Sequence, residues 1–473
     1  MRTLMMLLLC LLPLTLMAQI NEKAIVLLNV TKISNNPTRP WAPGAPADYA
    51  GTGFVIEGNR IITNAHNVSS CTYITVTKGG DTKKYEATPV YVSHQADLAL
   101  LEVKDEAFFS DIEPLTIGTR PKNQEQITVV GYPKGGEELS YTSGIVSRIE
   151  VNSYTHSFEY LLTIQVDAAL NPGNSGGPAF LEDKVVGIAM MGDPSGDGLG
   201  YLIPTDVIQH FLTDIKDGVL HGIPRLGVTI LTLENRMLRR SLGLAEDDDK
   251  GIMVAQINRM SDSPSLIHYG DIIMEIDGVP VRANGKVIQE DGLLVAHNHL
   301  ISSKQVGENI VLSIIRDGQP MSLEVVAERN SELVQYERFG IDYPYFLFGG
   351  FLFTPLYFDY IRDDAGDSWP HARQFHLIAN EPRTAEREEV VILHTIFKHQ
   401  LTSEMPGRRE PVKMVNGVKV RNFRHFIELI ESATGWIEIT FDAGYRIKLD
   451  VRACIGAEEE IMKTYRIEKR KIL

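Results

Sequence analysis

From Asn21 to Gly222 the chain is a succession of short apolar or alternating runs, each cut off by Gly, Pro, Asn or Asp. Gly53-Phe54-Val55-Ile56, Tyr73-Ile74-Thr75-Val76, Leu98 to Val103, Ile127-Thr128-Val129-Val130 and Leu161 to Val166 are typical. Strands commonly run about five or six residues, whereas a stable helix needs several uninterrupted turns. Breakers at this density exclude a helical bundle and leave a sandwich or barrel of many strands. One helix is expected at the end of the stretch. Thr205 or Asp206 is placed to cap it, Val207, Ile208, Phe211, Leu212 and Ile215 share one face, and Gly218 stops it.

Two further units follow, in keeping with 473 residues and a size of about 150 residues per domain. The second opens with Arg225-Leu226-Gly227-Val228 and reaches a strand ending in an Asp277-Gly278 turn. Leu293 to Ser303 is expected to be a helix, and Asn309 to Ile315 with Ser322 to Val326 closing strands. The third repeats two landmarks: Gly349-Gly350-Phe351 stands where the second has Leu-Gly-Val, and Val415-Asn416-Gly417-Val418 matches Ile276-Asp277-Gly278-Val279. A helix with Phe423, Phe426, Ile427 and Ile430 on one face follows, then strands from Trp436 and Arg446. Asp359 to Glu389 is polar and expected as a long loop, and the basic tail after Glu460 as a solvated helix end. The expected divisions are residues 1–18, 19–222, 223–330 and 331–473.

Residues 1–18 carry Arg2, the apolar run Leu4 to Leu16, and Ala18, the pattern of a secretory signal peptide; the run is shorter than the ~20 residues a bilayer span needs. The expectation is an exported chain, periplasmic or secreted, with no transmembrane segment once the leader is removed. Cleavage would leave Cys71 and Cys454, in different units, so no disulfide framework is expected, and Cys71 is expected to be a small buried residue. The 46 basic and 61 acidic residues give a formal charge of −15, which argues against a nucleic-acid partner, since such binding needs a basic footprint. No His-Glu-x-x-His, paired Cys-x-x-Cys or phosphate-binding glycine loop occurs, so neither a metal nor a cofactor is expected.

The chemistry concentrates in Asn171-Pro172-Gly173-Asn174-Ser175-Gly176-Gly177-Pro178. A serine hydroxyl is a poor nucleophile until a base takes its proton, and the developing oxyanion needs N–H groups aimed at it. Glycines beside the serine let the peptide groups turn inward, which makes Gly173 and Ser175 the candidate oxyanion donors, with Asn174 shaping the turn. Thr63-Asn64-Ala65-His66 places a histidine at the start of a turn after a glycine-led strand, and Asp97 heads the apolar run Leu98-Ala99-Leu100-Leu101. Each alone fits a structural role. Together, in the order His66, Asp97, Ser175 within one β-rich unit, they have the composition of a Ser-His-Asp triad.

These segments closely resemble the Do/HtrA (Deg) family of serine proteases. Gly131-Tyr132-Pro133, Thr142-Ser143-Gly144-Ile145-Val146-Ser147 and Gly198-Leu199-Gly200-Tyr201-Leu202-Ile203-Pro204 add to the match, which extends over the chain beyond residue 18. The resemblance implies a mainly β chain: a trypsin-like double β-barrel followed by two PDZ-type α+β domains, the second divergent. It implies that Ser175 attacks a peptide carbonyl, that His66 is base and then acid, and that Asp97 fixes the histidine. It also implies a specificity pocket near Leu170, Ile188 and Ala189 that takes small or medium apolar side chains. In the second unit, Leu226, Gly227 and Val228 would hold the carboxylate of a peptide C-terminus, with Arg225 adding charge. Implied partners are unfolded or misfolded polypeptides, peptide C-termini and further copies in an assembly built from trimers. A chaperone or peptide-binding scaffold, and a processing protease with one substrate, remain the alternatives.

Overall fold

The computed structural model describes residues 20–473 except 34–35, 43, 134–135, 137, 193–197, 258–265, 330–331, 336–338, 340–341, 365–373, 376, 380, 382, 404 and 406–408. The leader expected over residues 1–18 lies outside the described residues.

Six strands, β1 (Ile25–Ile33), β2 (Pro46–Ile56), β3 (Arg60–Thr63), β4 (Cys71–Lys78), β5 (Tyr85–Ser93) and β6 (Leu98–Val103), close into a barrel in the order β1-β2-β3-β6-β5-β4. A second barrel closes as β10-β11-β12-β9-β8-β7, from β7 (Gln126–Gly131), β8 (Ser140–Ser153), β9 (Tyr160–Val166), β10 (Pro178–Leu181), β11 (Lys184–Gly192) and β12 (Gly200–Pro204). Both faces of several strands are buried, which explains why they read as continuous apolar runs. Val26, Leu28, Val55, Ile61, Ala99 and Leu101 belong to a core fed by all six strands of the first barrel. Their neighbours Ile25, Leu27, Phe54, Ile62, Leu98 and Leu100 point the other way, because side chains alternate along a strand. They share a cluster with Ile127, Val129, Val166 and Ile188 of the second barrel. At about 25 cal/mol per Å² of apolar surface, this shared cluster is the main force holding the barrels together. The closing helix runs Thr205–Asp214. Pro204, not Thr205 or Asp206, is its N-cap, and no side chain caps it; the fixed φ of proline already directs the chain into the first turn. Gly218, at φ +88°, ends the 3-10 turn that follows.

The first appended unit is a sheet in the order β13-β14-β15-β19-β20, from β13 (Val228–Thr232), β14 (Ile252–Ile257), β15 (Ile272–Ile276), β19 (Asn309–Arg316) and β20 (Gln319–Val326), with β16 (Val279–Pro280) paired to β15. The helix expected over Leu293 to Ser303 is shorter: β18 (Leu294–Ala296) pairs with β17 (Lys286–Ile288), and the helix is Asn298–Ser302. Hairpin pairing with the strand just upstream won over local helix propensity.

The second appended unit orders its sheet β27-β26-β24-β23-β22-β21-β28, with β25 paired to β24. Its strands are β21 (Tyr345–Phe348), β22 (Phe351–Pro355), β23 (Val391–Ile396), β24 (Glu410–Val415), β25 (Val418–Lys419), β26 (Trp436–Phe441), β27 (Arg446–Asp450) and β28 (Lys471–Ile472). The helix Phe423–Glu431 buries Phe423, Phe426, Ile427 and Ile430. The repeat is exact at one turn. Asp277 and Gly278 (φ +49° and +77°) and Asn416 and Gly417 (φ +49° and +81°) both form two-residue hairpins with left-handed central residues. Asp277 Oδ1 accepts from the N–H of Val311 at 2.8 Å, and Asn416 Oδ1 from that of Glu438 at 2.8 Å.

Two expectations for this unit change, and one for the first barrel. The stretch from Asp359 contains the helix Phe358–Asp364 and, with Leu333, Val334, Phe375 and Ile378, a small core of its own. The tail is not a solvated helix end. The helix Val451–Tyr465 buries Cys454, Ala457 and Ile461, and β28 then pairs with β21. Cys71 is half-buried rather than buried, and both described cysteines are free. Among the described residues no helix is long and apolar enough to cross a membrane.

Candidate active site

Asp97 sits at φ +53°, in the left-handed region, immediately before β6. Aspartate tolerates this region better than most residues, at a cost of about 1 kcal/mol. The kink turns its fully buried carboxylate back toward the helix Ala65–Val68. Oδ1 accepts the His66 N–H at 2.8 Å and Oδ2 lies 2.7 Å from His66 Nδ1. Asn64 holds the same turn from the other side, donating to the main-chain O of Asp97 at 3.0 Å. Burial pushes the Asp97 carboxyl up, but the His66 charge and hydrogen bonds outweigh it and leave it below its ordinary value. An ionised partner on Nδ1 leaves the other ring nitrogen, Nε2, free to take a proton.

Ser175 arrives on the loop between β9 and β10 and is tied to the first barrel. Its carbonyl accepts from the N–H of Thr52 at 2.9 Å and from Nδ2 of Asn67 at 2.8 Å. Gly173 has φ +104°, and its carbonyl accepts from the Thr52 hydroxyl at 2.7 Å; that hydroxyl accepts in turn from the N–H of Tyr132 at 2.9 Å. A Cβ on Gly176 would lie 2.0 Å from the carbonyl O of Thr52, and one on Gly177 2.3 Å from that of Val130. Gly176 is thus demanded by the close approach of the first barrel, and Gly177 by that of β7 in the second. Asn174 is buried, and its N–H donates to the Asn171 carbonyl at 3.0 Å. The Ser175 hydroxyl donates to the Met190 carbonyl at 3.0 Å, not to His66.

Leu170, Ile188 and Ala189 are all buried, Ile188 completely. Ala189 clamps the serine loop: its carbonyl accepts from Gly176 N–H at 2.8 Å, and its N–H donates to Gly177 O at 2.9 Å. Leu170 packs against Gly200, where a Cβ would come within 2.6 Å of Leu170 Cγ. In the first appended unit, Gly227 has φ +68°, and Leu226, Gly227 and Val228 line a cavity of about 600 Å³ with Tyr160, His297 and Ile301. β13 is the outermost strand there. Arg225 differs from expectation. Its guanidinium is bound to Glu159 of the second barrel and to Glu332, so its charge is met within the chain. Among the described residues no group of three or more His, Cys, Asp or Glu could hold a metal ion.

Sequence reasoning missed Thr52, Asn67 and Met190, which connect the two barrels to the serine loop. Their only sequence signal is position: Thr52 lies between two glycines, and Asn67 follows the histidine.

Two closed six-stranded barrels with a serine loop, a histidine and an aspartate at their junction define a trypsin-like peptidase. Residues 51–188 match the trypsin-like peptidase domain family, and residues 334–471 match a PDZ domain family. The chain is 34% identical to putative protease Do-like 3, mitochondrial, of Arabidopsis thaliana, over 93% of this chain and 78% of the relative. It is also 34% identical to the Arabidopsis protease Do-like 2, chloroplastic, over 95% of this chain and 74% of the relative. The solved HtrA-type protease AlgW with decapeptide superposes with a TM-score of 0.51 at 24% identity, covering 66% of this chain and 97% of that one, which supports the fold. The chain belongs to the Do-like (HtrA) family of serine proteases.

Proposed function

We propose that the chain is an exported, ATP-independent endopeptidase that hydrolyses unfolded or damaged proteins. Ser175 attacks the peptide carbonyl, His66 takes its proton and returns it to the leaving amine, and Asp97 holds the imidazole and stabilises its charged form. The N–H groups of Gly173 and Ser175, with Asn174 shaping the turn between them, receive the oxyanion. The observation that carries this reading is the two-point grip of Asp97 on His66, at 2.8 and 2.7 Å, beside a serine loop held through the adjacent Asn67. The hydroxyl of Ser175, donating to Met190, corresponds to a resting arrangement, and attack requires it to turn toward His66.

Residues 1–18 act as the leader, 19–222 as the protease, 223–330 as a PDZ domain, and 331–473 as a divergent second PDZ domain. Leu226, Gly227 and Val228 bind peptide C-termini by adding a strand to β13. Leu170, Ile188 and Ala189 shape a pocket for small or medium apolar side chains. The assembly is built from trimers.

Hydrolysis of an unfolded model protein by the chain lacking residues 1–18, beside Ser175→Ala, tests the mechanism. Cleavage and fluorophosphonate labelling are expected in the wild type, with the rate down on the order of 10⁴-fold or more in the variant. Undiminished cleavage by the variant would refute the role of Ser175. Silence of the wild type that persists after apolar C-terminal peptides are added would point to a scaffold.

A further inference from the structure

Beside His66 lies a group of rings that acyl transfer does not use. His156, in the turn 155–157 between β8 and β9, has its ring centroid 6.1 Å from that of His66. Its Nε2 is 2.9 Å from Nδ1 of His94, three residues before Asp97. Phe339, which precedes β21 in the chain, lies flat on His94 at 4.0 Å and 20°, and against His156 at 4.2 Å and 37°. Burial, reinforced in His94 by the neighbouring imidazole, lowers both histidines, to about 3 for His94 and about 4 for His156. At neutral pH the two rings are therefore an uncharged aromatic shelf, joined by one N–H and one lone pair.

An extended substrate carries same-face side chains about 6.8 Å apart, two residues at ~3.4 Å each. The 6.1 Å between the His66 and His156 rings matches that step. A side chain over the shelf is then within about two residues of the one facing His66. We propose that His94 and His156 form a substrate subsite next to the scissile bond that selects an aromatic side chain, and that Phe339 is the chain's own occupant of it. This rests on Ser175 and His66 being the reacting pair. An aromatic substrate residue displaces Phe339 from the shelf, and Phe339 competes with it from within the same chain.

The test uses quenched peptides with one cleavage site, in which a single Phe replaces Ala at each flanking position in turn. They are assayed with wild type, Phe339→Ala, Phe339→Leu and His94→Ala, alongside fluorophosphonate labelling. At one position, Phe339→Ala should lower KM for the Phe peptide by up to about tenfold, the span open to a stacked ring pair, with less than about twofold change for the Ala peptide. Phe339→Leu, which keeps apolar volume but not stacking, should fall between, and His94→Ala should erase the preference for Phe there. If Phe339→Ala shifts thermal stability but leaves the Phe-to-Ala ratio of KM unchanged at every position, the contact is packing alone and the subsite is refuted. A wild type that neither labels nor cleaves would overturn the reading of Ser175 and His66, and the subsite with it.

Discussion

The two appended units share a sheet order and a turn but differ in what lies beside the outer strand. Matching the Asp277-Gly278 and Asn416-Gly417 turns places β22 of the later unit where β13 stands in the earlier one. In the earlier unit β13 is the last strand of the sheet among the described residues. In the later unit β21 already occupies that place, joined to β22 through Gly349 and Gly350, and β28 covers β21 in turn. Their attachments differ too. The earlier unit joins the apolar cluster of the second barrel and is pinned to it by the ion pairs of Arg225 with Glu159 and of Arg120 with Asp291. The later one is held by the β1–β2 loop, where Trp41 packs edge-on against Phe397 at 5.0 Å and Pro37 O lies 3.0 Å from His394 Nε2. Two copies of one plan thus differ at one edge: β13 ends the described sheet of the earlier unit, whereas β21 and β28 extend that of the later one.

The sharpest way to break this contrast is at the glycines. A Cβ on Gly349 would lie 2.4 Å from Cys454 Sγ at a φ of +56°, so Gly349→Ala should cost about 3 kcal/mol, from overpacking and backbone strain together. Gly227→Ala, at φ +68°, should cost only about 1 kcal/mol while weakening binding of an apolar C-terminal peptide. Urea unfolding and peptide calorimetry check both; equal losses would mean the later loop is no more closed than the earlier.

A middling effect is expected from acid. Burial lowers His394 to about 4, only partly offset by the Pro37 carbonyl. Its folded value lies below its unfolded one, so its contribution is present above about pH 6.5 and fades as pH falls toward the folded value. By pH 5 the loss should be on the order of 2 kcal/mol, at about 1.4 kcal/mol per pH unit. Hydrogen exchange in β23 should report it, and His394→Gln should flatten the dependence. The smallest effects should be the turn caps. Asp277→Ala and Asn416→Ala should each cost about 1 kcal/mol, from one lost hydrogen bond and a left-handed alanine. Asp277 should cost slightly more, since it also meets Lys304 Nζ at 2.9 Å. Thermal melts that separate the pair widely would weaken the equivalence of the two turns.

Much of this was legible in the sequence where local chemistry decides structure. Short apolar runs cut off by Gly, Pro, Asn or Asp marked the barrel strands, Asp-Gly and Asn-Gly marked the paired turns, and Phe423, Phe426, Ile427 and Ile430 marked a helix face. What escaped depends on pairing partners outside the segment itself. A two-residue strand such as Lys471–Ile472 has no periodicity and exists only because Tyr345 and Phe346 pair with it. Leu294–Ala296 has the apolar content of a helix and is held as strand by residues 286–288. At the candidate site the residue types could be named from order and spacing, but not Thr52 and Asn67, whose importance comes from reaching across to the other barrel. The partner of Arg225 was equally hidden, since Glu159 lies far back in the chain.

Thr52 has a consequence for how this molecule can change over generations. One hydroxyl sits between the Tyr132 N–H and the Gly173 carbonyl, so the shape of the serine loop belongs to the seam and to neither barrel alone. Valine has nearly the same shape and would leave the packing intact, yet it would leave two buried polar groups without a counterpart. A lineage could therefore lose hydrolysis while keeping its fold, through a single codon that is none of His66, Asp97 and Ser175.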